Sequence, residues 1–484
     1  MKLKKILNVL PITLYRGNKE LEITGLTSYS KRVHPGNLFI AKKGSAEDGT
    51  KYIEEAIASG AVAILSETPD PFLKNVAQLI HPNIRGIEGK LADFYYGSPS
   101  KELFNVAVTG TCGKTTTTYL LKFLLEGLQI QAGLIGSIEN FIGETRRTSD
   151  RKNTTPDVIS CHKMMREMRN SGMQACCMEV TSHALVQGRV DEISFDIAIF
   201  TNLTHEHLDY HKTMEEYANA KALLFSKLAP KNTAIINIDS PYAMRMIRDC
   251  KAKILTYGTD VKADIRASHI QLSPQGTSFE ITYQGKTLPF SWSLIGAHNV
   301  MNALGALGAL LAKGVDFERL PQLLALFPTV PGRLERVEDS LIFVDYAHKP
   351  DALENVLKSL KELKKGRLIT LFGCGGDRDQ KKRPLMAQVA EKFSDLTIVT
   401  SDNPRSEDPL KIIEEIKQGF SSSNFVIEPD RRKAIAKAIF SAEPNDVILL
   451  AGKGHETYQI FAHQTIEFDD RLIAAEYYSK EKTT

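Results

Sequence analysis

The chain has 484 residues, of which 42% are hydrophobic and 25% are charged, as in an ordinary soluble globular protein. Basic residues number 61 and acidic residues 58, so the net charge gives no reason to expect nucleic acid or an anionic membrane as a partner. The length is too great for one hydrophobic core and favours about three domains.

The first 18 residues place basic side chains before an apolar stretch, as a secretory signal does. Asn8, Pro11 and Arg16 interrupt that stretch, and no small-residue cleavage site follows. No run reaches the roughly 20 apolar residues of a membrane span. The six cysteines form no CxxC pair, which is typical of reduced thiols. We therefore expect a cytoplasmic protein that contacts no membrane.

Short apolar runs alternate with helical patterns along the chain, which predicts an α/β protein with mainly parallel sheets. The pattern restarts at residues 104–110 and again after residue 337. We therefore predict domains at 1–102, 103–333 and 334–484. Within the second domain, residues 251–292 resemble an antiparallel insertion.

The strongest single motif is a strand, the loop GTCGKTT and a helix. Its glycines let backbone N–H groups approach phosphates, and a helix N-terminus favours negative charge. We expect Lys114 to reach the β- and γ-phosphates of ATP and Thr115 to hold Mg²⁺. Val108 occupies the first glycine position of the usual motif, so a tight turn without nucleotide is the alternative. The predicted ATP-binding residues of this motif are Gly110, Thr111, Gly113, Lys114, Thr115 and Thr116.

Two further segments of the central domain offer metal ligands. Glu179 follows a strand-like run, and His207 lies in a cluster rich in histidine and acidic residues. One carboxylate and one imidazole suit a Mg²⁺ that also touches phosphate oxygens. The alternative is a solvated helix start. Lys221 lies on a predicted amphipathic helix, where spacing alone favours an ordinary solvated lysine.

The third domain has the most regular pattern, with five apolar runs that are each followed by a polar cluster. This is typical of a doubly wound, Rossmann-like sheet, in which the carboxyl ends of parallel strands converge. Arg333, Asp345 and His348 lie at the domain junction and could close over the nucleotide. A mixture of arginines and acids suits a zwitterionic amino acid, although five unrelated loops with surface salt bridges are the alternative. The candidates are Arg383, Asp402, Asn403, Arg405 and Glu456.

Taken together, the motifs resemble the Mur ligase family along almost the whole chain. The resemblance is greatest to the member that adds the third residue of the peptide stem of bacterial cell wall. It implies three domains, of which the central one is P-loop ATPase-like with a parallel-rich sheet and the third is Rossmann-like. The segments that carry it are GTCGKTT, NTTPD, MEVTSHALVQGRV, NLTHEHLDYHKTMEEYANAKALLF, GAHNVMNALGA, VPGRLE, DYAHKPDAL, FGCGGDRDQKKRPLM, SDNPR and GKGHE.

The resemblance implies an ATP- and Mg²⁺-dependent ligase of peptidoglycan precursor synthesis. Its expected acceptor is the D-Glu of UDP-N-acetylmuramoyl-L-Ala-D-Glu, and the expected intermediate is an acyl phosphate. It also implies that Lys221 is carbamylated and helps to hold Mg²⁺. The residues implied to bind the UDP substrate are Ser30, Thr154, Thr155, Ser182, Gln187 and Arg189. Those implied to contact ATP outside the loop are Asn299, Arg333 and Asp345.

The amino acid that we predict is meso-diaminopimelate, because Arg405 supplies a cation for its second carboxylate. By resemblance, Arg383 shares this role, and Gly452 and Glu456 enclose the second amino-acid centre. The alternatives are an L-lysine-adding ligase of the same family, a folylpolyglutamate synthetase-like ligase and a P-loop regulatory protein without ligase turnover. We expect a monomer, although no motif bears on this.

Some positions depart from the family pattern. Tyr29-Ser30-Lys31 stands where Asp-Ser-Arg is usual, which leaves the uracil contacts open. His205-Glu206 replaces a usual Arg-Asp, and Thr181 replaces a usual serine.

Overall fold

The computed structural model describes residues 1–44, 47–148 and 153–482. The strands of these residues form three large sheets and one two-stranded ribbon. Each large sheet lies within one of the three predicted domain ranges, and we refer to the three parts as the first, central and third units. The exact domain boundaries stay a prediction.

The first unit is a five-stranded sheet with three helices. Its elements are α1 Leu3–Val9, β1 Thr13–Arg16, β2 Gly25–Thr27, β3 Asn37–Ile40, α2 Ile53–Ala58, β4 Ala63–Ser66, β5 Ala77–Ile80 and α3 Ile84–Tyr95. The strand order is β1-β5-β4-β3-β2, and only the edge strand β1 is antiparallel to its neighbour. Every residue of β3 and β4 is buried, as parallel strands covered on both faces require.

The central unit contains the largest sheet. Its strands are β6 Phe104–Thr109, β7 Ala132–Ile135, β8 Glu139–Ile142, β9 Thr145–Thr148, β10 Ala175–Glu179, β11 Ile197–Phe200, β12 Thr233–Asn237, β13 Lys253–Gly258, β14 Ile265–Ser273, β15 Gly276–Tyr283 and β16 Lys286–Trp292. Its helices are α4 Lys114–Gly127, α5 Val158–Asn170, α6 Ser182–Val186, α7 Leu208–His211, α8 Met214–Ser226, α9 Ala243–Ile247, α10 Ala297–Ala312 and α11 Leu320–Ala325. The strand order is β16-β15-β14-β13-β12-β11-β6-β10-β7-β8-β9.

Successive residues of the central strands pack into two different cores, one on each face of the sheet. Val106 and Val108 of β6 face the core that contains α4 and α10, whereas Ala107 faces the core that contains α5 and α8. The alternation follows from the two-residue period of a strand. Helices therefore cover both faces, and only the strand ends are left to carry a site.

The antiparallel insertion predicted at residues 251–292 is correct only in part. β14, β15 and β16 pair antiparallel, but β13 pairs in parallel with β12 and with β14. The run ILTYG within β13 thus extends the parallel sheet instead of belonging to the insertion. A short buried run does not reveal its pairing direction, because parallel and antiparallel strands share the same period.

The third unit is a six-stranded sheet followed by a short ribbon. Its strands are β17 Glu335–Arg336, β18 Ile342–Asp345, β19 Leu368–Phe372, β20 Leu396–Val399, β21 Phe425–Ile427, β22 Val447–Ala451, β23 Tyr458–Ile460 and β24 Thr465–Glu467. Its helices are α12 Pro350–Leu363, α13 Lys382–Phe393, α14 Pro409–Lys417, α15 Arg431–Phe440 and α16 Asp470–Lys482. The order β17-β18-β22-β19-β20-β21 contains the five predicted strands, and these five pair in parallel.

Side-chain caps fix where several helices begin. Asp157 accepts a hydrogen bond from the N–H of Ser160 at the start of α5. Asp430 accepts one from the N–H of Lys433 at the start of α15. Proline is the first residue of α12 and α14, where its missing N–H is not needed. Only three residues separate β21 from α15, and four separate β18 from α12, so these two connecting loops at the sheet edge are short.

No helix of the described residues is long and apolar enough to cross a membrane. All six cysteines carry free thiols. Burial raises the pKa of the Cys161 and Cys176 thiols, which keeps both protonated.

Candidate active site

The loop between β6 and α4 lies at the carboxyl edge of the central sheet. Gly110 has a backbone φ of +156°, and a Cβ there would lie 1.8 Å from the hydroxyl of Thr201. Gly113 has a φ of +87°, and a Cβ there would lie 2.2 Å from the amide oxygen of Asn302. Both positions therefore require glycine, because the loop passes directly over β11 and α10.

Two lysines from different helices point at this loop. Lys114 donates from Nζ to the carbonyl oxygens of Gly110, at 2.8 Å, and Thr111, at 2.9 Å. Lys221 of α8 also donates to the Gly110 oxygen at 2.8 Å and is only 1% exposed. The interpretation of Lys221 as a solvated helix residue is therefore wrong. Burial lowers the pKa of Lys221 well below its ordinary value, and the charge of Lys114 lowers it further.

Glu179 ends the neighbouring strand β10 and is 1% exposed. Its Oε2 accepts hydrogen bonds from the hydroxyls of Thr115, at 3.1 Å, and Ser137, at 3.0 Å. Its Oε1 accepts from the N–H of Ser137 at 2.9 Å. The structure thus unites the predicted Thr115 and Glu179. Ser137 was missed from the sequence, where its position just past the buried run AGLI was the only signal.

His207 lies beyond β11 with a left-handed backbone φ of +57°. Its Nε2 is 3.3 Å from Oε1 of Glu206, and its ring contacts His183 with centroids 4.8 Å apart. Burial lowers the pKa of His207 to about 4 despite the nearby Glu206 carboxylate. The imidazole is therefore neutral near pH 7 and keeps a lone pair for a metal. Although burial opposes it, Lys349 and His207 lower the pKa of Glu206 to about 2.

Thr115, Glu179 and His207 supply a hydroxyl, a carboxylate and a neutral imidazole on one sheet edge. Such a set fits a Mg²⁺ that takes its remaining ligands from phosphate and water. Among the described residues, no group of three or more histidine, cysteine, aspartate or glutamate side chains comes together as a metal cluster.

Four of the predicted UDP-substrate residues, Thr154, Thr155, Gln187 and Arg189, form one network next to Glu179. Thr155 is fully buried and donates from Oγ1 to the backbone oxygen of Glu179 at 2.9 Å. Arg189 donates to the backbone oxygen of Thr155 at 2.9 Å and to the side-chain oxygen of Gln187 at 2.6 Å.

Thr154 and Ser182 make their contacts through hydroxyl groups. Oγ1 of Thr154 lies 3.1 Å from the hydroxyl oxygen of Ser137, whose proton goes to Glu179. The Ser182 hydroxyl lies 2.9 Å from Nε2 of the buried His211. The sixth predicted residue, Ser30, lies apart from this network, in the first unit, where it begins the short 3₁₀ helix Ser30–Arg32.

The residues predicted to contact ATP outside the loop approach it from two sides. Asn299 accepts from the side-chain amide of Asn302 at 3.1 Å, so it lies behind Gly113. Arg333 donates to the hydroxyl of Thr115 at 3.4 Å and crosses from the junction with the third unit. Asp345 accepts two backbone N–H groups, each at 2.7 Å, and burial raises its pKa to about 6.

The predicted amino-acid residues of the third unit meet where β20 and β22 end. Asn403 donates from its amide to Glu456 at 2.7 Å, and a Cβ on Gly452 would lie 2.7 Å from Asp402. Lys453, which was missed although it lies in the motif GKGHE, is fully buried and donates to both Asn403 and Glu456 at 3.2 Å. Burial, and then the charge of Asp402, raises the pKa of Glu456.

The two predicted arginines of this unit differ in their surroundings. Arg405 donates to the backbone oxygen of Gly376 at 2.7 Å, and its own backbone has a φ of +53°. Arg383 is fully buried and pairs with Glu415 at 2.7 Å and Glu407 at 2.9 Å. Glu407 thus pairs with the buried Arg383. Substrate binding by either arginine stays a prediction.

Three family models match the chain. They are the Mur ligase family catalytic domain at residues 22–96, the Mur ligase middle domain at 108–310 and the Mur ligase glutamate ligase domain at 332–454. Each match lies on one of the three sheets described above, although β1 of the first sheet precedes the first match.

Curated relatives match along the whole chain. One from Chlamydia caviae is 45% identical over 481 residues, 98% of this chain and 99% of its own length. One from Clostridium acetobutylicum is 41% identical over 482 residues, which are 99% of this chain and 99% of its own length. Both are named UDP-N-acetylmuramoyl-L-alanyl-D-glutamate–2,6-diaminopimelate ligase.

Solved structures agree with this match. A structure titled as the same ligase has a TM-score of 0.72, 34% identity and full coverage of both chains. Folylpolyglutamate synthase from Mycobacterium tuberculosis shares the fold alone, at 18% identity and a TM-score of 0.63 over 75% of this chain and 91% of its own. With three family models matched along its length and full-length relatives above 40% identity, the chain belongs to the Mur ligase family.

Proposed function

We propose that the protein is an ATP-dependent ligase that joins meso-diaminopimelate to the D-Glu of UDP-N-acetylmuramoyl-L-Ala-D-Glu. The substrates are those in the names of its full-length relatives, apart from the meso configuration, which is our inference. The observation that carries the proposal is the pairing of two sites: a phosphate loop beside Glu179, and a cluster of acids and amides in the third unit. Arg333 donates to Thr115 of the central unit and lies 4.9 Å from the ring centre of Tyr346 in the third unit, so it connects the two units.

The reaction needs activation because an oxide is too poor a leaving group for an amine to displace. The γ-carboxylate of D-Glu attacks the γ-phosphorus of ATP, so an acyl phosphate forms and ADP leaves. The amine of diaminopimelate then attacks the acyl carbon, an amide bond forms, and phosphate leaves with the bond electrons. The amine proton goes to solvent or to a base.

The central unit would supply the charge compensation for the first step. Lys114 contacts the phosphate loop directly, and Thr115, Glu179 and His207 would hold Mg²⁺. When Mg²⁺ is bound, it would neutralise part of the negative charge of the phosphates. The other proposed ATP contacts are Gly110, Thr111, Gly113, Thr116, Asn299, Arg333 and Asp345.

Lys221 has the environment that a carbamate requires. Burial and Lys114 lower its pKa, so a larger fraction of the amine is neutral, and only the neutral amine attacks carbon dioxide. The attack forms an N–C bond and releases a proton, which turns a cationic side chain into an anionic one. The carbamate would then add an oxygen ligand for Mg²⁺.

The dipeptide end of the UDP substrate would lie against the network next to Glu179. Arg189 offers a guanidinium held by Thr155 and Gln187, which suits a carboxylate. Thr154 and Ser182 offer hydroxyls on the same side. We propose that Ser30 contacts the uridine end from the first unit.

The amino-acid site would use opposite charges for the two ends of each zwitterionic centre. Asp402 and Glu456 suit an ammonium, Asn403 an ammonium or a carboxylate, and Arg405 the carboxylate that lysine lacks. To share that role, Arg383 would have to replace its ion pair with Glu407 or Glu415 by a pair with the substrate carboxylate. The runner-up is therefore an L-lysine-adding ligase of the same family.

The decisive assay is phosphate release with each substrate omitted in turn. A ligase releases phosphate only when ATP, UDP-N-acetylmuramoyl-L-Ala-D-Glu and an amino acid are present together. Release from ATP alone, or with a folate substrate, would favour the regulatory or the folylpolyglutamate alternative. We propose that the protein acts as a monomer in the cytoplasm. The cytoplasm is the compartment that its six free thiols favour.

A further inference from the structure

An ion pair joins the central unit to the third unit beside the phosphate loop. The carboxylate of Glu206 pairs with the ammonium of Lys349. Glu206 lies in the loop between β11 and α7, and Lys349 immediately precedes α12. The pair therefore connects two loops that belong to different sheets, both at a carboxyl edge.

This pair is largely removed from water. The side chain of Glu206 is 13% exposed and that of Lys349 is 28% exposed. Removing one partner of such a pair leaves the other charge in a poorly solvated place, which costs more than the loss of an exposed pair. We therefore expect the pair to influence how the two units meet.

The same carboxylate also reaches His207. Oε1 of Glu206 pairs with the ammonium nitrogen of Lys349, and the same oxygen lies 3.3 Å from Nε2 of His207. The left-handed backbone of His207 is uncommon for a residue with a side chain and has to be held by its surroundings. Lys349 of the third unit and His207 of the central unit thus contact the same carboxylate oxygen of Glu206.

We propose that Glu206 and Lys349 are positioning residues for the ligase reaction, an inference that rests on the proposed function. Their pair sets the distance of the third unit from the phosphate loop, and Glu206 sets the orientation of His207. Occupation of the amino-acid site and of the nucleotide site would then favour the same arrangement of the two units. Neither residue needs to touch the reacting atoms.

The kinetic test compares Lys349→Met, Lys349→Arg, Glu206→Gln and the double variant Glu206→Gln/Lys349→Met. We expect Lys349→Met to raise the KM for diaminopimelate about tenfold, equivalent to about 1.4 kcal/mol, with a smaller change in kcat. Lys349→Arg keeps the charge and should stay within about threefold of the wild type. The double variant should be no worse than Glu206→Gln alone, because both changes remove one interaction.

Lys358→Met is the matched control. Lys358 lies on α12, which Lys349 precedes, and it pairs with Glu354 of the same helix, but its side chain is 54% exposed. Its kinetic constants should equal those of the wild type. Equal constants for Lys349→Met and Lys358→Met would overturn the proposal, as would independent, multiplicative effects in the double variant.

Small-angle scattering gives a readout that does not depend on turnover. The radius of gyration should fall when a non-hydrolysable ATP analogue and Mg²⁺ are added to the wild type, and should fall less in Lys349→Met and Glu206→Gln. Thermal unfolding checks that both variants are folded. If the wild type shows no amino-acid-dependent turnover, the proposed function fails, while the scattering comparison still decides the role of the ion pair. Equal compaction of all three proteins would refute it.

Discussion

Lys114 and Lys221 share one acceptor, since both ammonium nitrogens lie 2.8 Å from the carbonyl oxygen of Gly110. Two full positive charges at one oxygen repel each other, and burial removes the water that would screen them. Burial is the main cause of the strongly lowered pKa of the Lys221 amine, and the charge of Lys114 lowers this pKa further. This relationship makes Lys221 the first residue to test.

Lys221→Ala should lower kcat at least about 100-fold without unfolding the protein, because a proposed metal ligand is lost. Lys221→Arg should be equally inactive, since a guanidinium keeps the charge but does not form the carbamate. Growth with ¹³C-bicarbonate should give a carbamate signal in the wild type by NMR and in neither variant. High bicarbonate would restore Lys221→Ala only if it fills the space of the missing side chain. Turnover like that of the wild type would remove Lys221 from the mechanism.

Lys114→Ala should abolish acyl-phosphate formation, with a loss of about 100-fold or more in turnover. Binding of UDP-N-acetylmuramoyl-L-Ala-D-Glu, measured by calorimetry, should change by less than about threefold, because its proposed contacts lie elsewhere. Lys122→Ala, on the same helix but paired with Glu126, is the control and should be fully active. A parallel collapse of UDP-substrate affinity would contradict this separation of roles.

Ser137→Ala should raise the Mg²⁺ concentration needed for half-maximal activity about tenfold. The hydroxyl of Ser137 donates to Glu179, and a hydrogen bond to a charged group contributes about 1.5–3 kcal/mol. Ser137→Thr keeps the hydroxyl and should restore most of the affinity. The control is Ser421→Ala, since Ser421 binds Glu391 through the same two groups far from the site. An unchanged Mg²⁺ dependence in Ser137→Ala would show that Glu179 needs no such support.

Asp345 should make the free energy of unfolding depend on pH. Its pKa is about 6 in the folded protein, against 3.8 as its ordinary value, because burial disfavours the charged form. The folded state thus binds the proton more tightly, so the contribution to stability is complete below pH 3.8 and is lost as pH rises through 6. Urea unfolding at pH 4.5 and pH 7 should show a smaller pH dependence in Asp345→Asn than in the wild type. If the free energy of unfolding depended equally on pH in both proteins, Asp345 would not be a source of this pH dependence.

Arg405→Ala should change which amino acid is used. A bidentate arginine that faces a carboxylate is worth roughly 2–5 kcal/mol on truncation, so kcat/KM for meso-diaminopimelate should fall at least about 30-fold. The value for L-lysine should change little. Arg432→Ala, an exposed arginine paired with Glu476, serves as the control. A wild-type preference for lysine, or an unchanged preference in Arg405→Ala, would contradict the choice of amino acid and leave the ligase activity intact.

The sequence by itself determined the classes of structure and the motif positions. Apolar runs such as the one that ends at Asp345 predicted the five parallel strands of the third unit, and the glycines Gly110 and Gly113 predicted the tight loop between β6 and α4. These features are local, because strand period and backbone freedom depend on neighbouring residues. Local patterns were therefore sufficient to place them.

Only the tertiary structure decided which charged side chains meet. The spacing around Lys221 indicated a solvated helix, yet α8 packs it under the loop at Gly110. Arg383 was predicted at a substrate carboxylate, and the fold surrounds it with Glu407 and Glu415. The burial of a charge and the choice of its partner depend on residues far apart in the chain, so no local pattern records them. The meeting of Glu206 with Lys349 across two units has the same origin.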